Sequence, residues 1–373
     1  MGVAVVGGGI VGLLAAWNLE KEGADVTLFE EGALGAGSIH AAGIIEPMNA
    51  FRTNTFAFLR TVWRFWRRGT CTFRSVDARW LFDSLRHLER DPPAAAADCL
   101  REMAQTSVAD YQAFADGRND FAYTPLGLVE PYDDPAHFSE ERETALARQS
   151  LFPVEVRERK GFAGELYFPD ASWLHTEQFV ARLAGELKRT RVVRQRVHRV
   201  EIDGTVSADS ARSRFDAVVV CTGVSCRKLG VPLTGVRGYG WHARSRSPVD
   251  RATIFVDRGI AVVPFATEVK VTGGWDFDLS NRPYHSRQVL ASAQQVHALD
   301  EVLDFREGSR PCTPDGLPTV GKQGQVVVAT GGFRLGWSFG PALGRHAALL
   351  ALGRTRNDPF LARFATSLHS ATL

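Results

Sequence analysis

The sequence predicts an α/β protein of two domains, one built on a parallel sheet and the other an α+β domain with a mainly antiparallel sheet. Three observations favour this class. The chain has 373 residues, a strand–helix–strand pattern occurs near its beginning and a strand–helix pattern near its end, and strand-rich sequence fills residues 236–275. A chain of this length usually forms more than one domain, and an apolar content of 45% is sufficient for sizeable cores.

The most informative element is a glycine-rich turn near the beginning of the chain. The apolar run Val3–Val6 predicts a buried strand, residues 13–22 predict a helix after the glycine turn, and a second strand ends at Glu30, 18 residues after Gly12. A G-x-G-x-x-G turn in this order of strand, helix, strand and acid is typical of a Rossmann-type dinucleotide site.

Each part of this turn has a predicted role. The first glycine of the motif permits the tight turn, the second lets the backbone approach a pyrophosphate, and the third lets the helix pack closely on the strand. The helix N-terminus offers free N–H groups to phosphates, and the acid accepts hydrogen bonds from ribose hydroxyls. The dinucleotide contacts predicted here are Gly7, Gly9, Ile10, Val11, Gly12, Glu30 and Glu31.

Two later segments are expected to extend the same sheet. Residues 215–221 form an apolar strand that ends at Thr222 and Gly223, and residues 325–330 form another that ends at two glycines. A helix is predicted over 340–352, with apolar residues at helical spacing. The nucleotide domain is therefore assembled from discontinuous segments, and the remaining segments form the second domain.

Composition narrows the class of protein. A net charge of +2 gives no general attraction to nucleic acid. The five cysteines are odd in number and lack metal-ligand spacing, which predicts reduced thiols in a cytoplasmic protein without a metal site. Since neither a signal peptide nor an apolar run of about 18 residues is present, we expect no membrane span.

Four separated stretches follow one another in a distinctive order. They are residues 5–12 with Glu30, residues 37–47, residues 216–223 followed by 236–239, and residues 310–318 followed by 329–336. In this order they resemble the FAD-dependent amine- and amino-acid-oxidising family of the D-amino-acid oxidase and glycine oxidase type. The helix-rich stretch 51–114, ahead of 126–132, is most similar to the D-amino-acid dehydrogenases of that family.

The resemblance implies an FAD-binding domain and a substrate domain. The FAD-binding domain would comprise residues 1–50, 135–225 and 310–373, and the substrate domain residues 51–134 and 226–309. The helix near the C-terminus would direct its positive end toward the negative charge that develops on the flavin ring. The further cofactor contacts that the resemblance implies are Ser38, His40, Ala41, Ala42, Gly43, Val197, Thr222, Gly223, Arg310, Gly332, Arg334, Leu335, Gly336 and Trp337.

Three side chains are implied as catalytic. Arg310 would hold the substrate carboxylate, because a planar guanidinium matches a carboxylate with two parallel hydrogen bonds. Tyr239 would either help to hold that carboxylate or simply pack. Lys270 would either assist oxygen reduction or be a plain solvated lysine on a strand, and the second interpretation is favoured because the spacing to the following glycine differs by one residue.

Two residues raise the question of covalent FAD. His40 lies in a stretch similar to one through which some dimethylglycine and sarcosine dehydrogenases attach FAD, but here the stretch is one residue shorter, which favours a non-covalent contact. Cys312 stands beside Arg310, and a packed thiol is the favoured interpretation.

The function implied is oxidative deamination of a D-amino acid or a related small amine acid. A hydride passes from Cα to flavin N5, the imine is hydrolysed to an oxo acid, and the electrons pass to a quinone, a dye-type acceptor or oxygen. Trp241, Trp275 and Trp337 would narrow the pocket and favour small or cyclic substrates. The alternatives are a glycine, sarcosine or proline oxidase-like enzyme and a flavin subunit of a larger electron-transfer complex; an NAD-binding protein is disfavoured by the C-terminal glycine-rich segment.

The segment from Phe51 to Phe73 interleaves aromatic residues with arginines. A basic amphipathic helix of this kind is typical of a protein that lies on an anionic membrane, here the inner face. The other interpretations are a helix packed over the substrate domain and a contact between identical subunits.

Overall fold

The apolar strand that begins the chain lies inside a six-stranded sheet in the computed structural model, which describes residues 1–49, 54–89, 94–247, 249–279, 286–364, 368 and 371–373. The helices of these residues are α1 (Ile10–Lys21), α2 (Phe56–Arg67), α3 (Ala78–His87), α4 (Ala94–Gly117), α5 (Pro135–Ala147), α6 (Thr176–Glu186), α7 (Ser286–Val296) and α8 (Gly336–Ala351).

The strands form four sheets. In chain order they are β1 (Gly2–Val6), β2 (Asp25–Phe29), β3 (Ile44–Ile45), β4 (Cys71–Ser75), β5 (Leu128–Tyr132), β6 (Glu155–Arg157), β7 (Gly164–Phe168), β8 (Ser172–Trp173), β9 (Arg191–Val193), β10 (Val197–Val200), β11 (Thr205–Ala208), β12 (Arg212–Arg214), β13 (Ala217–Val220), β14 (Thr234–Arg244), β15 (Ala252–Phe255), β16 (Ile260–Pro264), β17 (Val269–Asp278), β18 (Glu301–Cys312), β19 (Thr319–Gln323), β20 (Val326–Thr330) and β21 (Ala371–Thr372).

The six-stranded sheet has the order β19-β20-β13-β1-β2-β9 and is parallel except at β19. Successive residues of β1 enter two different cores: Val3 and Val5 pack on the side of α1 and α8, and Ala4 and Val6 on the opposite side. A strand that is buried on both faces needs a continuous apolar run, and the sequence of β1 has one. The prediction of a parallel sheet assembled from separate segments is confirmed.

A nine-stranded sheet forms the second layer of the fold. Its order is β18-β14-β17-β16-β15-β5-β7-β6, with β4 also paired to β17. The pairing is antiparallel except between β5 and β15 and between β4 and β17. This agrees with the prediction of a second, mainly antiparallel α+β domain. The short sheets β10-β11-β12-β21 and β3-β8 complete the set.

Several local predictions differ from the structure. The sequence of residues 51–118 predicts helices, but this stretch contains β4, which gains its partner β17 only in the folded chain. The apolar pattern of residues 192–200 predicts one strand, but these residues contribute to two strands in separate sheets. Thr176 is the predicted cap of the helix that follows it, but helix α6 is capped by His175, whose ring accepts from the Gln178 N–H at 3.5 Å. Residues 50–53 and 90–93 lie outside the described residues.

The division into two domains stays a prediction. Strands β6 and β7 pair with β5 in the nine-stranded sheet, so a boundary near residue 170 fits the sheets better than one at 135. Within the part of the chain that the structure describes, no helix has the length and apolar character needed to cross a bilayer.

Helix α5 is tied to the nine-stranded sheet by a buried ion pair. The Nδ1 atom of His137 lies 2.7 Å from Oδ1 of Asp257, and the other oxygen of Asp257 accepts from the N–H groups of Asp133 and Asp134. Burial lowers the pKa of His137, but the hydrogen bonds to Asp257 and Glu141 outweigh burial and raise the pKa to about 9.

This pair should make stability depend on pH. The imidazolium of His137 is favoured in the folded state, so its contribution is complete below the unfolded pKa of about 6.5 and disappears as pH rises through about 9. We expect His137→Gln to lower the free energy of unfolding by roughly 2 kcal/mol at pH 6 and by much less at pH 10, measured by urea unfolding. Glu140→Gln, which removes an exposed pair on the same helix, is the control and should have little effect. A His137→Gln effect that stays constant or grows toward pH 10 would contradict this assignment.

Candidate active site

The glycine-rich turn leaves no space for side chains. Gly7 has a φ of +101°, and a Cβ atom built there would lie 2.7 Å from the carbonyl oxygen of Cys221. A Cβ atom at Gly12 would lie only 1.9 Å from the carbonyl oxygen of Gly7. Strand β1, helix α1 and the end of β13 therefore approach one another at van der Waals distance, which only glycine permits.

The N-terminus of α1 faces this turn. Gly9 is the N-cap residue and supplies no side-chain hydrogen bond. The Ile10 N–H donates to the Ser38 hydroxyl at 3.0 Å, while Val11 and Gly12 continue the first turn of the helix. Free N–H groups with a positive helix dipole are suited to the phosphates of a dinucleotide.

Glu30 lies at the end of β2, directly beside the turn. Its carboxylate accepts from the N–H groups of Gly8 at 2.7 Å and Gly32 at 2.8 Å. These bonds hold the acid at the place where a Rossmann-type domain binds a ribose. Glu31 is exposed, with Arg196 3.8 Å away.

The ends of β13 and β20 complete the crevice. A Cβ atom at Gly7 would lie 3.1 Å from the Thr222 nitrogen, so Thr222 borders the turn. The Gly223 carbonyl accepts from the Thr330 hydroxyl at 3.0 Å, which joins the two strand ends. Val197 begins β10, and its side chain is buried in the core on the β1 face opposite α1.

The segment 38–46 crosses from the turn to the larger sheet. At one end the indole N–H of Trp337 donates to the Ser38 carbonyl at 3.2 Å. At the other end the Glu46 N–H donates to the Ser338 hydroxyl at 2.9 Å. Ala41 and Ala42 are half-buried along this path. A Cβ atom at Gly43, the last of the predicted contacts in this segment, would lie 2.2 Å from the Leu174 carbonyl.

The turn before α8 is also tightly packed. A Cβ atom at Gly332 would lie 2.9 Å from the Cα atom of Gly336, the first residue of α8. Phe333 has a φ of +44°, an unfavourable conformation for an aromatic residue, and such strain is frequent at functional turns. Arg334 is exposed and Leu335 is buried.

The His40 ring is buried. Only 4% of the residue is exposed, and neither imidazole nitrogen has a hydrogen-bond partner among the described residues. A Cβ atom at Gly308 would lie 2.1 Å from its Nδ1 atom. Burial, with the nearby charges of Arg310 and Lys270, lowers the pKa of His40 to about 3, so the ring is neutral.

These features fit FAD. A turn of closely packed glycines at a helix N-terminus, an acid at the ribose position and a buried imidazole whose nitrogens have no partner among the described residues all suit a large ligand with many polar atoms. These contacts do not test covalent attachment through His40, so the favoured non-covalent contact with FAD stays a prediction.

Arg310 stands on β18 with an unusual environment for a cation. Its guanidinium donates to the Gly274 carbonyl at 2.8 Å and lies 5.4 Å from the centre of the Trp275 ring. Among the described residues no carboxylate lies within 4.0 Å of it, so its charge has no direct ion pair. Burial lowers the pKa of Arg310 to about 10, while Asp276 and Tyr239 act to raise it, and the group remains a cation at neutral pH.

Tyr239 and Asp276 lie next to Arg310. The Tyr239 hydroxyl donates to Asp276 Oδ2 at 2.6 Å, and the Thr72 hydroxyl donates to Oδ1 at 2.8 Å. Because both of its carboxylate oxygens accept from hydroxyls, Asp276 does not form an ion pair with the Arg310 guanidinium. Sequence reasoning missed Asp276, although an acid inside the apolar run of β17 was a usable signal.

Lys270 is not the solvated lysine that sequence spacing favoured. It is 0% exposed, and its ammonium donates to the Ile39 carbonyl and the Thr176 hydroxyl, each at 2.6 Å, and to both oxygens of Glu177 at 3.0 Å. Burial lowers its pKa to about 8, against the raising effect of Glu177. A role in oxygen reduction stays a prediction.

Aromatic rings line the side of the Arg310 site near α2. Trp275 has ring-centre distances of 5.3 Å to Phe65, 5.6 Å to Phe333 and 5.8 Å to Phe58. Cys312 is buried in the same cluster, and burial raises the pKa of its thiol, as expected for a packed cysteine. Trp241 and Trp337 lie elsewhere, against Tyr239 and Tyr111 respectively.

The folded chain thus brings together residues that are far apart in sequence. Arg310, Tyr239, His40 and Lys270 gather where the nine-stranded sheet meets the segment 38–46. The expectation of no metal site was based on sequence spacing, but folding also groups His175, His242 and Glu268.

Comparisons with known proteins agree with this geometry. The family described as FAD dependent oxidoreductase, DAO, matches residues 2–350. A protein named D-proline dehydrogenase from Pyrobaculum islandicum is 38% identical over 97% of this chain and 99% of its own. A D-amino acid dehydrogenase from Xylella fastidiosa is 25% identical over 93% and 91%. Glycine oxidase from Geobacillus kaustophilus shares the fold with a TM-score of 0.74 at 20% identity, covering 98% of this chain and 97% of its own.

Proposed function

Because the chain belongs to the DAO family of FAD-dependent oxidoreductases, we propose that it oxidises a D-amino acid at the carbon beside the carboxylate, with D-proline as the preferred substrate. The observation that carries the proposal is the Arg310 guanidinium, which has no ion pair among the described residues and faces aromatic rings. The relative named D-proline dehydrogenase supports the choice of substrate.

Arg310 binds the substrate carboxylate in this proposal. A buried cation whose acidic neighbour Asp276 is engaged by two hydroxyls gains most from an incoming anion. A bidentate pair fixes both the position and the orientation of the acid, and positioning is most of what hydride transfer requires from a protein.

The aromatic rings select the rest of the substrate. Trp275, Phe58 and Phe333 present apolar surface beside the guanidinium, where a pyrrolidine ring or a small alkyl side chain would be desolvated. A second charged group would be unfavourable there, because nothing in this wall would pair with it. The pocket therefore suits small, apolar amino acids and cyclic ones above all.

FAD, when bound, supplies the oxidation by accepting a hydride from the substrate. The residues of this chain orient the acid, exclude water and stabilise charge. Backbone N–H groups at the start of α8 and the exposed Arg334 lie at the positive end of that helix, where developing negative charge is stabilised. The product is an imine, which water hydrolyses to an oxo acid when the substrate is a primary amine.

The electron acceptor in this proposal is a quinone or a dye rather than oxygen. The Lys270 ammonium supports this choice. It already donates to four acceptor atoms, so it is poorly placed to assist oxygen reduction. An oxidase that acts on glycine, sarcosine or proline is the alternative, and a flavin subunit of a larger complex is a second one.

A membrane surface is the proposed location of that acceptor. The outer face of α2 and α3 exposes large apolar side chains, 43–57% accessible, at Phe56, Leu59, Trp63, Trp66, Leu81, Phe82 and Leu85. The two helices meet where Asn54 donates to the Ser84 carbonyl and the Phe56 N–H donates to Glu89.

The charges on these helices support an anionic bilayer as the partner. Arg67 lies 4.9 Å from the centre of the Trp63 ring and Arg86 lies 4.4 Å from that of Phe82, and aromatic side chains with neighbouring arginines are typical of helices that lie in a membrane interface. The opposite faces of the same helices cover the aromatic wall of the Arg310 site through Phe58, Phe65 and Trp80. Of the segment from Phe51 to Phe73, residues 51–53 lie outside the described residues.

Replacing Arg310 should separate substrate binding from cofactor binding. We expect Arg310→Ala to raise KM for D-proline by about 100-fold or more, since a charged hydrogen-bonded pair is lost, while the FAD content stays close to wild type. Arg212→Ala, on the exposed strand β12, is the matched control and should change neither value. An unchanged KM in folded, flavin-loaded Arg310→Ala would reject the proposed anchor.

The outer face of α2 and α3 can be tested with vesicles. We expect FAD-loaded protein to sediment with vesicles that contain anionic phosphatidylglycerol at low salt and to be released at high salt. The double variant Trp63→Ser/Trp66→Ser should bind at least about 10-fold more weakly, because it removes two exposed indoles that the bilayer would bury. Leu126→Ser/Leu151→Ser removes exposed apolar side chains outside this face and should bind as wild type does. Absence of sedimentation at low salt would reject the membrane proposal without affecting the proposed reaction.

A further inference from the structure

Three metal-ligating side chains converge where α6 meets the nine-stranded sheet. His175 is the N-cap residue of α6, His242 lies on β14, and Glu268 precedes β17. One donor atom from each lies within 4.8 Å of the other two. His242 is buried, while 13% of the His175 side chain and 20% of the Glu268 side chain are exposed, which gives an ion in solution access to the group.

Each of the two imidazole rings lies between two carboxylates, those of Glu268 and Glu177. His242 places Nδ1 2.7 Å from Glu268 Oε1 and Nε2 2.9 Å from Glu177 Oε1. His175 places Nε2 3.5 Å from the same Glu268 oxygen and Nδ1 3.2 Å from Glu177 Oε2. Both rings therefore direct one nitrogen to Glu268 and the other to Glu177.

This arrangement resembles a protein metal site, in which inner ligands bind the ion and outer carboxylates orient the ligands. A histidine that binds a metal generally donates its other ring N–H to a carboxylate, which fixes the tautomer and the ring orientation. Glu177 is placed to be that outer carboxylate for His242, and it also lies 3.2 Å from Nδ1 of His175, a nitrogen that the Gln178 N–H approaches at 3.5 Å. Two imidazoles and a carboxylate form the inner set, which is a donor set that zinc takes with a fourth position left for water.

Glu177 is fixed in the outer position by other bonds. Both of its oxygens accept from the Lys270 ammonium at 3.0 Å, and one also accepts from the Thr176 hydroxyl at 2.8 Å. The charge of Glu177 is thus compensated, whereas Glu268 has no lysine or arginine within 4.0 Å among the described residues. A divalent cation would supply the missing positive charge at Glu268.

Two of the three donor separations are close to those of a metal site, while the two rings, whose planes differ by 24° at a centre-to-centre distance of 5.1 Å, tilt toward the shared ion when it binds. Zinc–nitrogen and zinc–oxygen bonds of about 2.0–2.1 Å put neighbouring ligand atoms of a tetrahedron roughly 3.3 Å apart. The 2.7 Å and 3.5 Å separations to Glu268 Oε1 lie on either side of that value.

We propose that His175, His242 and Glu268 bind one divalent cation of the zinc type, with Glu177 as the outer carboxylate. The ion joins the N-terminus of α6 to β14 and to the turn before β17, and so ties together elements of the two layers. Through Glu177 and Lys270 it also supports the Ile39 carbonyl in the segment 38–46. The site does not depend on the proposed substrate or acceptor.

Direct binding measurements test the site. FAD-loaded protein is freed of metal with a chelator and then dialysed against Zn²⁺, and we expect one ion per chain with a micromolar or lower Kd. His242→Ala and Glu268→Gln should each weaken binding at least about 10-fold, because each removes one of three inner ligands. His198→Ala, which removes a histidine of an exposed pair with Asp209, is the control and should bind as wild type does.

Two further readouts distinguish a true site from weak surface binding. With Co²⁺, wild type and His198→Ala should show the visible absorption of a tetrahedral site, and Glu268→Gln should not. The Glu268 side chain is partly exposed, so we expect Glu268→Gln to fold. Saturating Zn²⁺ should raise the Tm of wild type but not of Glu268→Gln. Less than one ion per chain at 1 mM Zn²⁺ (roughly −4 kcal/mol of binding free energy), or equal binding by wild type and both variants, would overturn the proposal.

Discussion

The segment 38–46 is the connection on which both halves of the site depend. The Trp337 indole and the Ser338 hydroxyl hold it on one side, and the buried Lys270 ammonium holds the Ile39 carbonyl on the other. A cation without solvent must have all its donors satisfied, so Lys270 has few alternative positions. His40, which follows Ile39, is thereby kept between the glycine-rich turn and Arg310, with its ring over Gly308.

The charged side chains of this region are paired with one another so that the Arg310 guanidinium stays available for an anion. Lys270 is neutralised by Glu177, and Asp276 is engaged by the hydroxyls of Tyr239 and Thr72. Arg310 is left with a carbonyl and an aromatic face as neighbours. The carboxylate of an acid that binds beside Trp275 would pair with the Arg310 guanidinium. This pairing is the physical reason to connect the fold with amino-acid oxidation. Glycine at position 238 makes the arrangement possible, since a Cβ atom there would lie 2.3 Å from the guanidinium.

Sequence alone predicted the parts of the site that depend on local order. The turn between β1 and α1, the acid that ends β2, and the stretch around Arg310 each carry a pattern within a few residues. The surroundings of Lys270 could not be predicted, because its four acceptors come from Ile39, Thr176 and Glu177, about 90 or more positions away. Strand β4 was missed for the same reason, since its only described partner is β17. The grouping of His175, His242 and Glu268 likewise exists only once three elements are packed together.

The central claim is that bound FAD is reduced by an amino acid held through its carboxylate on Arg310. The most direct measurement is anaerobic mixing of the flavin-loaded protein with D-proline, L-proline and pyrrolidine, followed by visible absorbance. We expect D-proline to bleach the flavin within one turnover, and pyrrolidine, which has the same ring but no carboxylate, to leave it oxidised. Bleaching by pyrrolidine as readily as by D-proline, or a flavin that no D-amino acid reduces, would contradict the assignment.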